Sequence, residues 1–418
     1  MLTIQEPLQQ SGQHKTRWQA ICYAPIFELA FRPFFLLATL FSCSALTVWL
    51  LQLSGTQIMP HQAIAPTLWH AHEMIFGFAI TIAVAFILTA GQTWTNQASL
   101  SKGPLFGFVL LWCAIRAALY YNSNVSVILA LILSAIWWLM AIATFSRMVI
   151  RANNKRNFLF VPILTILATL NILVLTLSYH QQFTIVTSLM QISLLMMTLI
   201  MSILGGRVIP FFTARGANTG SFQTPLVIEK LVLVASIFTV AFFILHLFFT
   251  SLTPILPWVF SLTALLHVAR LAFWKTPQTW KVPLLWSLHL SYLLMALGLL
   301  LLGFSYWLTA ITFSMGIHTL TIGGIGLMIL SMLSRVSLGH TGRALQIKPI
   351  IIAAFVLLVC SLIFRVALLT IVNPYNAWLG SALCWIAAMT IFLWVYTPIL
   401  TQKRADLAPP PPPKAARS

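Results

Sequence analysis

The sequence predicts an all-α protein, a polytopic membrane helix bundle of about twelve transmembrane helices. Hydrophobic residues make up 60% of its 418 residues and charged residues only 7%, against about 25% charged residues in soluble domains. Twelve apolar stretches approach the roughly 20 residues that cross a bilayer as a helix. So little charge cannot cover a soluble surface, which excludes a soluble enzyme, a nucleic-acid-binding protein and a disordered chain.

The predicted spans follow one another through short connections. Residues 1–25 form an N-terminal segment, residues 26–400 form the membrane domain, and residues 401–418 form a solvated tail with a proline run. The approximate bounds of the spans are 30–52, 68–90, 104–121, 125–145, 158–178, 183–204, 227–250, 254–274, 283–303, 309–333, 349–371 and 376–400.

The basic residues are concentrated in every second connection between the spans. Of the 23 Lys and Arg residues, all except Arg116 and Arg365 lie in or beside the N-terminal segment, the even-numbered connections or the tail. Cytoplasmic loops carry an excess of Lys and Arg, so we expect both termini to be cytoplasmic. Arg116 and Arg365 fall near the outer ends of spans, where long side chains can reach the interface.

Ionisable residues cluster where the second span begins, at His70, His72 and Glu73. Such groups are costly inside a membrane and usually functional. His318 of the tenth span is expected at a similar depth, in the outer half. Residues two apart on a helix point about 200° apart, so His70 and His72 should face different neighbours. Glu73 is the candidate catalytic acid, as a proton carrier or a partner of a metal ligand.

A second layer of histidines is expected nearer the cytoplasm. His267 ends the eighth span and His289 begins the ninth, so the two could meet. His340 follows in the tenth connection. Imidazole is the commonest metal ligand, which makes these histidines candidate metal ligands. The alternative for each is a hydrogen bond between helices.

Two pairs of segments suggest an internal repeat. Residues 207–215 and 335–343 share R-V and T-x-R at one offset, and His72 and His318 each begin an H-x-x-x-x-G pattern. Spans two, six and ten would then be equivalent, in three four-helix pseudo-repeats. This layout resembles the catalytic subunit of haem–copper oxidases and nitric oxide reductases, which implies a haem between His318 and His72 or His70. The copper ligands of those enzymes are missing here, so the likeness is one of layout.

A closer resemblance is to the NnrS family of haem- and copper-containing membrane proteins, over about residues 26–400. Shorter likenesses lie at 266–271 and 286–290. The four motifs that carry it are F-R-P-F-F at 31–35, W-H-A-H-E-M-I-F-G-F at 69–78, G-G-R-V-I-P-F-F-T at 205–213 and S-R-V-S-L-G-H-T-G-R at 334–343.

This resemblance implies a multi-pass protein of the bacterial inner (cytoplasmic) membrane that responds to nitric oxide and nitrosative stress. It implies haem and copper as cofactors. The expected partners are the lipid bilayer, nitric oxide or another small apolar diatomic, and an electron donor that the sequence does not identify; no nucleic acid is expected.

With haem and copper implied, we expect His72 and His318 to hold haem, and His70 to bind copper or to lie on the distal side. His267 and His289 are expected to form a second metal site with His340 as a weaker member. Four arginines are expected at the cytoplasmic edge, paired with haem propionates or lipid phosphate, unless topology alone explains them: Arg32, Arg207, Arg335 and Arg343.

Two other classes of function remain open at this point. Twelve helices with both ends inside are also typical of secondary transporters, in which membrane histidines relay protons; bound haem would argue against this class. A sensor or assembly factor that holds haem or copper without turnover is the other alternative.

Overall fold

The computed structural model describes residues 21–220 and 222–407. Over these residues the chain is helical and contains no strand, and twelve helices are long and apolar enough to cross a membrane, as predicted. We number them α1 to α12: Phe31–Leu53, Pro66–Thr95, Lys102–Tyr121, Asn124–Arg151, Phe160–Tyr179, Phe183–Gly216, Leu226–Phe248, Thr250–Ala272, Pro283–Phe304, Phe313–His340, Pro349–Thr370 and Pro374–Thr401. Most of the predicted N-terminal segment and most of the tail lie outside the described residues.

Local sequence explains where several helices begin and end. Asn96 and Asn122 adopt left-handed backbone angles and end α2 and α3, a conformation that asparagine tolerates better than most residues. Ser123 caps α4 by accepting a hydrogen bond from the backbone of Ser126. Proline, whose missing N–H costs nothing at a helix start, is the first residue of four helices, at Pro66, Pro283, Pro349 and Pro374.

The two ends of the bundle's chain meet at one face. Arg32 at the start of α1 donates to the carbonyl of Gln402 just after α12, at 2.8 Å. The amide of Ala405 donates to the carbonyl of Thr341, just after α10, at 2.9 Å. We call this end, with the even-numbered connections, the basic face. That it faces the cytoplasm stays a prediction.

Three helices form the centre of the bundle. In each of α2, α6 and α10, 78% of the most apolar window is buried inside the protein, against 33% to 61% in the other nine. Helix α6 contacts both α2 and α10, and α12 packs against α1 to close the outer ring. The central helices are therefore the second, sixth and tenth, the same three that the proposed internal repeat makes equivalent. The repeat itself stays a prediction.

Two of the central helices contain a π-helical segment. In α2 it covers Glu73–Ile80 and in α10 it covers Thr319–Gly326. Each begins at the residue after a histidine, His72 or His318. Such segments are rare and frequently lie at functional sites, which directs attention to the first turns of α2 and α10.

Candidate functional site

The first turns of α2 and α10, far from the basic face, carry two histidines with unused ring nitrogens. The His70 ring stacks on Trp49 of α1, with centroids 4.8 Å apart and planes 13° apart. Its Nδ1 atom is buried and has no hydrogen-bond partner within the described part of the chain. His318 has its Nδ1 atom 2.8 Å from the carbonyl oxygen of Ser314. A carbonyl only accepts, so Nδ1 carries the proton and Nε2 keeps its lone pair.

His70 and His318 lie within electrostatic reach of one another, and Arg365 of α11 acts on both. The Arg365 guanidinium lies over the Trp378 ring, 5.4 Å from its centroid. We call His70 and His318 the outer histidine pair. The structure thus brings together two of the three histidines that we expected in the outer layer.

The third of these histidines, His72, faces other helices. Its Nδ1 is 2.7 Å from Oε1 of Glu73, and its Nε2 is 2.8 Å from the amide nitrogen of Asn171 in α5. The amide nitrogen donates, so Nε2 accepts and Nδ1 donates to the carboxylate. Both ring nitrogens of His72 are therefore used by the protein, whereas His318 has only its Nδ1 bonded and His70 has a buried Nδ1 without a partner in the described residues.

Glu73 forms a buried ion pair with Arg116 of α3. The Arg116 Nη1 atom donates to both carboxylate oxygens, at 2.8 and 2.9 Å. The expectation that Arg116 reaches the interface is therefore wrong: its side chain is only 9% exposed, because a buried carboxylate holds it inside. Gly77 makes room for the pair, since a Cβ atom there would lie 2.7 Å from Nη1.

The two inner histidines, His267 and His289, also have both ring nitrogens hydrogen-bonded to protein groups. His267, fully buried, has its Nδ1 2.8 Å from the hydroxyl of Tyr292 and its Nε2 3.3 Å from Oγ of Ser236. His289 has hydroxyl groups at both nitrogens, 2.8 and 2.9 Å away. The rings of Tyr292 and Trp274 pack against each other at a tilt of 49°, with centroids 4.5 Å apart, and each contacts one histidine. No contact joins His267 to His289 in the described residues, so the two do not form the expected pair.

Sequence reasoning missed a second, partly buried ion pair, between Glu229 of α7 and Arg270 of α8. Arg270 donates from Nε to Oε1 at 2.9 Å and pairs with Oε2 through Nη2. Its Nη1 donates to the carbonyl of Ser202 in α6 at 2.8 Å. Gly206 leaves room for the guanidinium in this position, because a Cβ atom there would lie 1.7 Å from Nη2. Glu229 and Arg270 sit at the same end of consecutive helices, a signal that could have revealed the pair.

At the basic face, two of the arginines predicted for propionates contact Gln402, Arg32 from the start of α1 and Arg343 from the connection after α10. Arg32 is fully buried; it donates to the carbonyls of Pro25 and Gln402, at 3.1 and 2.8 Å, and pairs with Glu28 at 3.1 Å. Arg343 donates to Oε1 of Gln402 at 3.3 Å. These contacts fasten α12 to α1.

The other basic-face candidates are held by different helices. Arg207 donates to Oδ1 of Asn157 at 2.7 Å, and the guanidinium of Arg335 lies 3.8 Å from the centroid of the Phe212 ring. His340 is the last residue of α10 rather than a loop residue, against our expectation, and its ring is 5.5 Å from that of Phe31. These residues lie at the end of the bundle opposite the outer histidine pair, so they do not line the same site.

Nearly the whole chain matches one known protein family. The family model described as NnrS protein matches residues 25–404, nearly the whole chain. The chain belongs to the NnrS family. No curated protein and no solved structure matches it.

The NnrS motifs correspond to the buried contacts described above. The motif at 69–78 supplies His70 of the outer histidine pair, together with Glu73 and Gly77 of the ion pair. The motif at 205–213 supplies Gly206, which admits Arg270.

The outer histidine pair fits a metal-bound group. His70 offers a buried nitrogen with no protein partner, and the Ser314 carbonyl fixes the His318 tautomer that leaves Nε2 free, the arrangement usual for metal-binding histidines. No group of three or more His, Cys, Asp or Glu that could hold a metal occurs in the described ranges. Two histidines are too few for an all-protein metal cage, so a haem, which needs only one or two protein ligands, would suit this pair better.

Proposed function

We propose that this NnrS protein binds haem or copper through His70 and His318 in the bacterial inner membrane. We further propose that it handles nitric oxide or its metal-nitrosyl products in defence against nitrosative stress. One observation carries the assignment: Nδ1 of His70 and Nε2 of His318 have no hydrogen-bond partner among the described residues. By contrast, His72, His267 and His289 have both ring nitrogens hydrogen-bonded. The sequence alone favoured His72 as the partner of His318; these contacts favour His70.

The surrounding residues suit an apolar diatomic ligand. Nitric oxide dissolves in lipid and needs no polar channel to reach a site between helices. Haem iron or copper, when bound, would supply a binding position for the diatomic and a route for electrons. The protein would contribute two orienting contacts: the Ser314 carbonyl fixes the orientation and the tautomer of the His318 ring, and Trp49 fixes the plane of His70. Arg365 would add positive charge beside the ligands.

Glu73 is better suited to positioning than to proton transfer. Its two oxygens accept from Arg116 and from His72, so the carboxylate ties the start of α2 to α3. His70 lies on that same start, three residues before Glu73. We therefore propose that Glu73 holds His70 in place rather than acting on the substrate.

The transporter alternative is less well supported by these contacts. Proton-coupled transporters need embedded acids that can exchange protons. The acids inside the described spans, Glu73 and Glu229, are both held in ion pairs with arginine. A sensor or assembly factor would use the same outer histidine pair and differs only in the absence of turnover.

The test is cofactor content in purified variants. We expect the wild-type protein in detergent to show haem in a pyridine haemochrome assay and copper by elemental analysis. His70→Ala and His318→Ala should each lose most of the haem or of the copper while retaining the helical circular dichroism signal. The matched control is His289→Gln, which alters a buried histidine with both nitrogens bonded and should keep the cofactor. Full cofactor content in both Ala variants would reject the assignment.

A further inference from the structure

Arg365 is a cation without a counter-ion, beside the outer histidine pair. Its guanidinium lies over the Trp378 ring but forms no ion pair and no hydrogen bond with any residue that the structure describes. The side chain is half-buried within α11, where an unpaired charge is costly. We propose that Arg365, Trp378 and Gln52 form a binding site for a planar anion with two oxygen atoms, a carboxylate or nitrite.

The acidic residues of the described chain are all engaged elsewhere. Each is paired with an arginine other than Arg365: Glu28 with Arg32, Glu73 with Arg116, Glu229 with Arg270 and Asp406 with Arg404. A counter-ion for Arg365 would therefore have to come from outside residues 21–220 and 222–407.

Two further hydrogen-bond donors at this end of the bundle also lack a partner. Nε1 of Trp378 and Nε2 of Gln52 are both buried, and neither has a hydrogen-bond partner in the described ranges. An indole N–H, an amide NH₂ and a guanidinium can only donate. Buried donors are nearly always satisfied in proteins. Two unsatisfied donors beside an unpaired cation therefore indicate an anionic acceptor.

The packing of α12 against α1 places Trp378 next to the outer histidine pair. The two helices run in opposite directions, and Nε1 of Trp385 donates to Oγ of Ser42 at 3.3 Å. About two turns further out, on the same helix faces, lie Trp378 of α12 and Trp49 of α1. The Trp49 ring stacks on His70. The site and the histidine pair are therefore neighbours.

The other two members lie on the helices to either side of Trp378. Arg365 of α11 contacts the Trp378 ring directly and acts electrostatically on both outer histidines. Gln52 is about one turn beyond Trp49 on the same face of α1. The anion would therefore bind between α1, α11 and α12.

A guanidinium fork matches a planar anion, because it can donate two parallel hydrogen bonds to two oxygen atoms. Such an anion could come from two sources. One is a propionate of a haem held by the outer histidine pair, and this source rests on the proposed function. The other is free nitrite, which needs no haem. In either case Arg365 takes the role that the sequence suggested for arginines of the basic face.

Haem and its dimethyl ester distinguish a bound propionate, because the ester keeps the iron and the ring but carries no carboxylate. We expect the full-length protein from haem-starved cells to bind haem at least about tenfold more tightly than the ester, since charge-assisted hydrogen bonds are strong. Arg365→Gln should bind both alike. Trp378→Phe keeps a ring under the guanidinium and removes only the N–H. It should lose part of the preference, and it remains informative if Arg365→Gln does not fold.

Arg335→Gln is the matched control. Arg335 also lies over an aromatic ring, that of Phe212, but at the basic face, and its variant should keep the full preference for haem. Loss of the preference in Arg335→Gln would place the propionates at the basic face and overturn the proposal. So would a preference that persists in Arg365→Gln.

Nitrite titration tests the second source without haem. In the full-length protein labelled with ¹⁵N-tryptophan, the indole signal of Trp378 is the one that Trp378→Phe removes. Nitrite should shift this signal in the wild type, and Arg365→Gln should weaken the binding at least about tenfold. A shift together with equal affinities for haem and ester identifies a site for free anions.

The proposal is overturned if the wild type binds haem and ester equally and nitrite shifts no Trp378 signal. An arginine that only reaches lipid phosphates at the interface would give this result. The two proposals fail separately. Absence of haem binding in the wild type would count against the proposed function, and the nitrite titration would still decide whether Arg365 forms an anion site.

Discussion

Gly77 shows how the absence of one side chain makes room for a buried ion pair. A Cβ atom there would lie 2.7 Å from Nη1 of Arg116 and 2.8 Å from the Phe41 ring. Gly77→Ala must therefore loosen the pair between Glu73 and Arg116, and we expect a loss of about 1–3 kcal/mol, the usual cost of overpacking. The measurement is the thermal unfolding midpoint in detergent, followed by circular dichroism.

A second glycine supplies the control for that prediction. Gly107 lies on α3, the helix of Arg116, and a Cβ atom there would meet nothing within 4 Å. Gly107→Ala should leave the midpoint unchanged or raise it, because alanine favours a helix by about 0.5–1 kcal/mol. Equal midpoints for Gly77→Ala and Gly107→Ala would contradict the role given to Gly77.

At the residue scale, the sequence predicted how deep the histidines lie in the membrane better than it predicted which helix each side chain faces. Counting residues placed His70 and His318 in one layer, because each residue advances a helix by 1.5 Å. It also predicted that His70 and His72 face different neighbours. It could not say which of them faces α10, because the π-helical segments in α2 and α10 change the rotation per residue. The partners of Arg116 and Arg270 were missed because hydropathy does not record pairing between helices.

At the scale of the helices, α9 and α10 approach so closely that their backbones touch. A Cβ atom on Gly316 would lie 2.8 Å from the backbone nitrogen of Leu302 in α9, an atom that cannot rotate away. Gly316→Ala should push the start of α10 outward, and His318 lies two residues further along. We expect a loss of about 1–3 kcal/mol in stability and, if the proposed site is right, a loss of bound haem or copper.

Gly339, near the other end of α10, is the matched control. A Cβ atom there would meet only a leucine side chain at 3.8 Å, an ordinary contact. Gly339→Ala should keep both stability and cofactor. Cofactor retained by a folded Gly316→Ala protein would show that the position of α10 does not govern the outer histidine pair.

Some helices are also longer than the spans that the sequence predicts. All twelve were predicted, but α6 ends at Gly216 rather than near 204, and α10 ends at His340 rather than near 333. Hydropathy marks only the apolar stretch. The extra turns are held by contacts with neighbouring helices, such as the bond between Thr213 and His289, which a hydropathy pattern does not contain.

For the whole molecule, the distribution of Lys and Arg and the contact between the chain ends predict the same orientation in the membrane. The bond between Arg32 and Gln402 puts the start of α1 and the end of α12 at the same face, which requires an even number of crossings. Nearly all basic residues adjoin that face. Positive connections remain in the cytoplasm, so the basic face should be cytoplasmic and the outer histidine pair should lie towards the periplasm.

Reporter fusions in a bacterial host test this orientation. A green fluorescent protein fused after residue 407 should fluoresce, since it folds in the cytoplasm, and alkaline phosphatase at the same point should be inactive because its disulfides need an oxidising compartment. Alkaline phosphatase fused after Gln181, between α5 and α6, should be active. The reversed pattern would place His70 and His318 towards the cytoplasm and Glu229 towards the periplasm. Nitric oxide dissolves in lipid, so in either orientation it could still reach the outer histidine pair from the membrane.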